Sequence, residues 1–66
     1  MTPRQMGRRL KALREAQGLS RQALAELAGI SRESVRLLEA GRFDPTLGML
    51  TKLARALKTT LPDLMK

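Results

Sequence analysis

Residues 21–40 read RQALAELAGISRESVRLLEA. Gly29-Ile30-Ser31 separates two runs of helical period and is too short for anything but a tight turn. On the first run Leu24, Ala25 and Ala28 face inward with Leu27 beside Leu24, and on the second Val35 and Leu38, three apart, form the inner face. Ala25 lies where the two helices come closest, so a larger side chain there would push them apart. Gly29 opens the turn, where a positive φ is cheap only without a Cβ. Ile30 plugs the turn into the core, and Ser20 and Ser31 stand where hydroxyl N-caps belong. The stretch therefore predicts two short helices crossing at roughly 90 to 120° through a turn of about three or four residues. Arg32, Glu33, Arg36 and Leu37 are left on the outward face of the second.

The same logic extends in both directions. Upstream, Thr2 caps a first helix, Pro3 occupies its first turn and Gln5 completes a capping box. Met6, Leu10 and Leu13 recur at i, i+4 and i+7 before Gly18 ends the helix and Leu19 folds back. Downstream, Gly41 closes the helix that runs to about Ala40, and Asp44-Pro45 forces a loop. Thr46 then caps a fourth helix carrying Leu47, Leu50, Leu53, Ala54 and Leu57, and Thr60 or Leu61 opens a short fifth containing Leu64 and Met65. No segment alternates as a strand does. The expectation is an all-α fold, a compact bundle of five short helices forming a single domain over residues 1–66. Helices this short are marginal alone and must pack on one another.

Composition narrows the function. The chain has neither cysteine nor histidine, which removes disulfides, thiolate metal sites, thiol catalysis and the commonest general base. Its six Asp and Glu form no paired catalytic pattern, so neither an enzyme nor a cofactor is expected. Apolar runs fall far short of the roughly 20 residues that span a bilayer, and glycine turns divide the chain into packed units rather than one amphipathic membrane helix. Lys and Arg number 13, giving a net charge of +7, and most of the excess lies before residue 43. Such a balance favours a polyanionic partner.

With LRxxxGLS at Leu13–Ser20, LAELAGIS, SVRLLEAGR, DPTLGMLTKLARAL and the terminal LPDLM in order, the chain from about residue 4 to 65 resembles the lambda-repressor-like helix-turn-helix domains of the XRE or Cro/CI type. The resemblance implies that helices 2 and 3 form the helix-turn-helix and that the third, about residues 32–39, enters the major groove of double-stranded DNA. That docking is the one described for lambda and 434 repressors. Base reading is then expected from Arg32, Glu33, Arg36 and Leu37, and backbone contact from Ser20, Arg21, Gln22, Ser31, Ser34 and Arg42. Family members often carry Gln at the first position of the second helix, where it holds a phosphate and braces a reading residue. Here that position is Arg21, with Gln22 following.

Arg14 and Glu39 occupy positions that pair in relatives, which implies a structural ion pair between the first and third helices. Arg8, Arg9 and Lys11 read first as a solvated face and second as phosphate contacts. Phe43, the only aromatic residue, is by default a lid on the core, with a sugar contact or a dimer contact as the alternatives. Leu61, Leu64 and Met65 either complete the core or form a dimer seam. The function implied is a sequence-specific transcriptional regulator, a repressor that binds a palindromic operator as a homodimer. The alternative is an antitoxin or accessory DNA-binding protein that also holds a protein partner such as a toxin. Either belongs in the cytoplasm at a bacterial, archaeal or phage-associated nucleoid.

Overall fold

The computed structural model describes residues 1–66 as five α-helices without strands: α1 (Pro3–Ala16), α2 (Arg21–Ala28), α3 (Arg32–Glu39), α4 (Leu47–Ala56) and α5 (Leu61–Leu64). Every helix starts on a hydroxyl. The side chains of Thr2, Ser20, Ser31, Thr46 and Thr60 accept from the amides of Gln5, Ala23, Ser34, Met49 and Asp63, each satisfying one of the N–H groups that a helix start leaves unpaired. At α1 the box is reciprocal, because the Thr2 amide donates to Gln5 Oε1 at 2.8 Å. Between α2 and α3, Gly29 adopts φ +71°, and the Ile30 amide donates to the Ala25 carbonyl at 3.0 Å. That closure turns Ile30 back onto the core. The same closure after α4, Thr59 amide to Ala54 carbonyl at 2.9 Å, is made around Lys58 at φ 56°, a left-handed conformation without glycine's freedom.

The core joins all five helices through Leu10, Leu24, Val35, Leu38, Leu53, Leu57 and Leu64, each less than 2 % exposed. Helix α3 packs between α1 and α2, α2 also meets α4, and α5 closes on α4. Two side chains, one in α1 and one at its C-cap, bind the far elements. Gln17 Nε2 donates to the Leu57 carbonyl at the end of α4, and Arg9 Nη2 donates to the Asp63 carbonyl of α5 at 3.1 Å. Arg9 is therefore half-buried rather than on the solvated face expected for it. No helix is long and apolar enough to cross a membrane.

Three other expectations change. Leu27 is 62 % exposed, because a two-turn helix offers one inward arc and Leu24, Ala25 and Ala28 fill it. Leu27 lies roughly 100° around the helix from the middle of that arc. Leu47 is 67 % exposed as the first residue of α4, whereas Leu50, one turn later, is already covered. Leu64 is fully buried in the chain's own core, so it has no surface for a dimer seam. Leu61 shares its face at i+3 spacing and is half-buried against the same core, as is Phe43, while Met65 remains exposed.

Helices α1 and α3 approach closely at Gly7, buried in α1. A Cβ there would collide with the Leu38 carbonyl oxygen and come within 2.6 Å of the Glu39 carbonyl oxygen, both backbone atoms of α3. Gly7→Ala is expected to lower unfolding free energy by about 1 to 3 kcal/mol, the range for overpacking. Gly48→Ala, whose Cβ meets only Thr46 Oγ1 at 3.9 Å, should be neutral or slightly stabilising. Urea denaturation of the two variants checks the contrast, and equal stabilities would refute the close crossing.

Candidate nucleic-acid interface

The helix pair that the turn at Gly29 folds presents a polar surface built on two capped helix starts. At the α3 start, Ser31 Oγ accepts from the Ser34 amide at 3.0 Å and donates to Ser34 Oγ at 2.8 Å, so both hydroxyls are tied to the first turn. Burial of Val35 and Leu38 turns Arg32, Glu33 and Arg36 into solvent, while Leu37 is half-buried at the edge of that face. Ser20, Arg21 and Gln22 form the exposed first turn of α2, where unpaired amides and the helix dipole favour an anion.

Beneath this surface lies a charge cluster. Arg14 Nε meets Glu39 Oε2 at 2.6 Å and Arg14 Nη2 meets Oε1 at 3.2 Å, while Arg14 Nη1 donates to the Leu19 carbonyl at 2.7 Å. Arg14 is 7 % exposed and the Glu39 side chain 3 %, so the expected pair is present and nearly dry. The hydrogen bond to Glu39 raises the Arg14 pKa further above its usual value, against the opposing effect of burial. Arg21 adds a second cation, its Nε at 3.1 Å from Glu39 Oε1, with its side chain still 44 % exposed. Sequence reasoning did not pair Arg21 with Glu39, since nothing in a separation of 18 residues signals contact.

Two adjoining recesses open over the cluster. One, about 320 Å³, is lined by Arg14, Ser20, Arg21, Gln22 and Arg32. The other, about 330 Å³, is lined by Arg21, Arg32, Glu33 and Arg36. The structure thus brings together most of the residues that the sequence nominated, and Arg32 stands in both recesses. Arg42 is exposed beyond the end of α3 and lines neither. A wider recess of about 580 Å³ lies between α1 and the C-terminal residues, away from α2 and α3, with Met1, Met65 and Lys66 on its rim.

On the α3 face Arg36 grips Glu33 with two hydrogen bonds, Nε to Oε1 at 2.8 Å and Nη2 to Oε2 at 2.6 Å. The Arg36 hydrogen bonds hold the Glu33 carboxyl below its usual pKa, with added attraction from the charges of Arg36 and Arg32, and Arg36 is raised in return. Their i,i+3 spacing was the signal available in the sequence for this pair.

The helix-turn-helix family model HTH_3 matches residues 10–64. The chain belongs to this family. Its type is the XRE, lambda-repressor-like helix-turn-helix that the motif order implied. The chain is 32% identical over 59 residues to an uncharacterized HTH-type transcriptional regulator of Archaeoglobus fulgidus, covering 89% of this chain and 84% of the relative. It is 32% identical over 57 residues to the transcriptional regulator PuuR of Escherichia coli, covering 86% of this chain but only 31% of PuuR. Among solved structures, the restriction-modification controller protein C.AhdI of Aeromonas hydrophila superposes with a TM-score of 0.92 at 39% identity, covering 94% of each chain.

The buried cluster yields a stability prediction. Glu39→Ala strands Arg14 and is expected to cost about 3 kcal/mol, whereas Arg14→Met combined with Glu39→Leu should recover much of the loss. Arg21→Ala, which breaks only a half-exposed contact, should cost about 1 kcal/mol or less. Thermal unfolding followed by circular dichroism separates the three. A Glu39→Ala protein that melts with wild type but loses duplex binding would assign the cluster to DNA contact instead.

Proposed function

We propose that this chain is a sequence-specific, double-stranded DNA-binding transcriptional regulator that acts in the cytoplasm as a repressor, binding a palindromic operator as a homodimer. The observation that carries the reading is the position of Arg32, Glu33 and Arg36 on the outward face of α3, with Leu37 at its edge, beside the polar first turn of α2. A single helix with its side chains fits a major groove about 12 Å wide. Within it, arginine donates to guanine O6 and N7, glutamate accepts from a cytosine amino group, and leucine covers a thymine methyl. Ser20, Arg21, Gln22, Ser31, Ser34 and Arg42 supply contacts to the sugar-phosphate backbone, which a net charge of +7 favours throughout. The repressor role is drawn from the lambda-repressor-like type of the domain.

Size supports a dimer. The chain measures 25 × 22 × 21 Å. Half-sites one helical turn apart are separated by roughly 34 to 36 Å, beyond the reach of one copy. With Leu64 committed to the core, the seam draws on Phe43, Leu61 and Met65. A second reading, in which the chain also holds a protein partner such as a toxin, is favoured by Leu27 and Leu47, exposed at 62 % and 67 %. Such a partner would co-purify in stoichiometric amount.

Sedimentation equilibrium is expected to give a dimer at tens of micromolar, on the order of the concentrations such assays use. Monomers there, with one-to-one binding to a half-site duplex, would refute the dimer. For DNA reading, Arg32→Ala is expected to lose about 1 to 3 kcal/mol of discrimination at one base position. Arg42→Ala should weaken selected and random duplexes alike and reduce the salt slope by about one. Titration of both duplexes at two salt concentrations checks this, and the reverse pattern would refute the assignment of α3 as the reading helix.

A further inference from the structure

The three guanidinium groups that line the recess on α3 are not equivalent. Arg21 is engaged by Glu39 at 3.1 Å and Arg36 by Glu33 at 2.6 Å, whereas Arg32 has no carboxylate within 4.0 Å. Glu33 is also the only carboxylate lining either recess of the interface. Its pairing with Arg36 is two-pronged, although both side chains are more than half exposed.

The chemistry of that pair is specific. Arginine has five N–H donors in one plane, and Glu33 occupies the edge formed by Nε and Nη2. The edge formed by Nη1 and the second Nη2 hydrogen stays free in the same plane. That edge can donate to a neutral pair of acceptors, as guanine O6 and N7 present, or to a phosphate. A phosphate drawn to Arg36 must also approach the Glu33 carboxylate, and like charges repel; a base edge carries no net charge and meets no such repulsion. An arginine without a carboxylate beside it, by contrast, adds to the sequence-independent attraction that phosphates exert on any exposed cation.

We infer that Glu33 is a positioning residue for Arg36: it fixes the guanidinium plane and biases it toward neutral base edges over phosphates, lowering affinity for non-operator DNA. The inference rests on the reading of α3 as the groove-entering helix and refines it: with both oxygens held by Arg36, Glu33 acts through that arginine in place of a cytosine contact of its own. Arg32 keeps its base contact and adds free cationic attraction on the same face, while the Glu33–Arg36 pair adds discrimination against phosphates.

The test uses Glu33→Gln, which keeps the shape and removes the charge. Binding is titrated on a random-sequence duplex and on the duplex that the wild-type protein enriches from a random pool, each at several salt concentrations. The random duplex is expected to bind about three- to tenfold more tightly to the variant, with a salt slope steeper by about one. The ratio between the two duplexes should fall by a similar factor. Adding Arg36→Ala should abolish the gain, because the effect runs through that arginine. Asp63→Asn, which removes a half-exposed charge on α5 paired with Lys66 and away from both recesses, should leave the ratio between duplexes unchanged. Equal effects of Asp63→Asn and Glu33→Gln, a gain that survives Arg36→Ala, or loss of enriched-duplex binding with the random duplex unaltered would each overturn the inference. Wild-type protein that binds neither duplex in a salt-dependent way would overturn the DNA-binding reading itself, a result visible before any variant is made.

Discussion

The carboxylate of Glu39 is the constraint around which the helix-turn-helix is organised. At 3 % exposure it has been taken out of water, and a bare charge there would be costly, so it must be met by cations and hydrogen bonds. Those come from two other helices: Arg14 of α1 with two contacts and Arg21 of α2 with one. Because Glu39 is the last residue of α3, satisfying it holds the end of that helix against both neighbours. Arg14 also takes the Leu19 carbonyl, so the loop between α1 and α2 is tied to the same point. Side-chain geometry at one carboxylate thus orients the element that carries the outward arginines.

Small residues let this geometry form. Gly7 admits the α3 backbone to α1 at a distance that excludes any Cβ, and Ala25 and Ala28, both buried, leave α2 thin where α3 crosses it. Leucines fill the remaining space on the α4 and α5 side. Gln17 and Arg9 then spend side-chain donors on carbonyls at the ends of α4 and in α5, groups that a short helix cannot satisfy internally. The result is a rigid support for an exposed, charged face.

On the proposed function, that face reconciles a strongly basic protein with selective recognition. A net charge of +7 attracts any polyanion. Yet Arg14 and Arg21 share the Glu39 carboxylate and Arg36 has that of Glu33, so part of the positive charge near the α2–α3 surface is already compensated. Attraction comes from the molecule as a whole, while the local pairs decide what the recess will accept.

Local forces were legible in the sequence because they act over one turn. The hydroxyl caps at Thr2, Ser20, Ser31 and Thr46, the left-handed glycine at Gly29, and the inward set of Leu24, Ala25, Val35 and Leu38 all follow from spacings of one to four residues. Together with the motif order they determined an all-α helix-turn-helix fold and nominated the outward residues of α3. Tertiary structure decided the rest. Periodicity marks an apolar stripe but not how much of it neighbours cover, so it does not reveal that Leu27 and Leu47 lie in solvent; and an apolar terminal helix reads alike whether it meets its own core or a second copy, so only the packing settles Leu64 in the core. Arg21 on Glu39, Arg9 on the Asp63 carbonyl and Gly7 against α3 join residues far apart in sequence, and such contacts exist only once the helices have chosen their crossing.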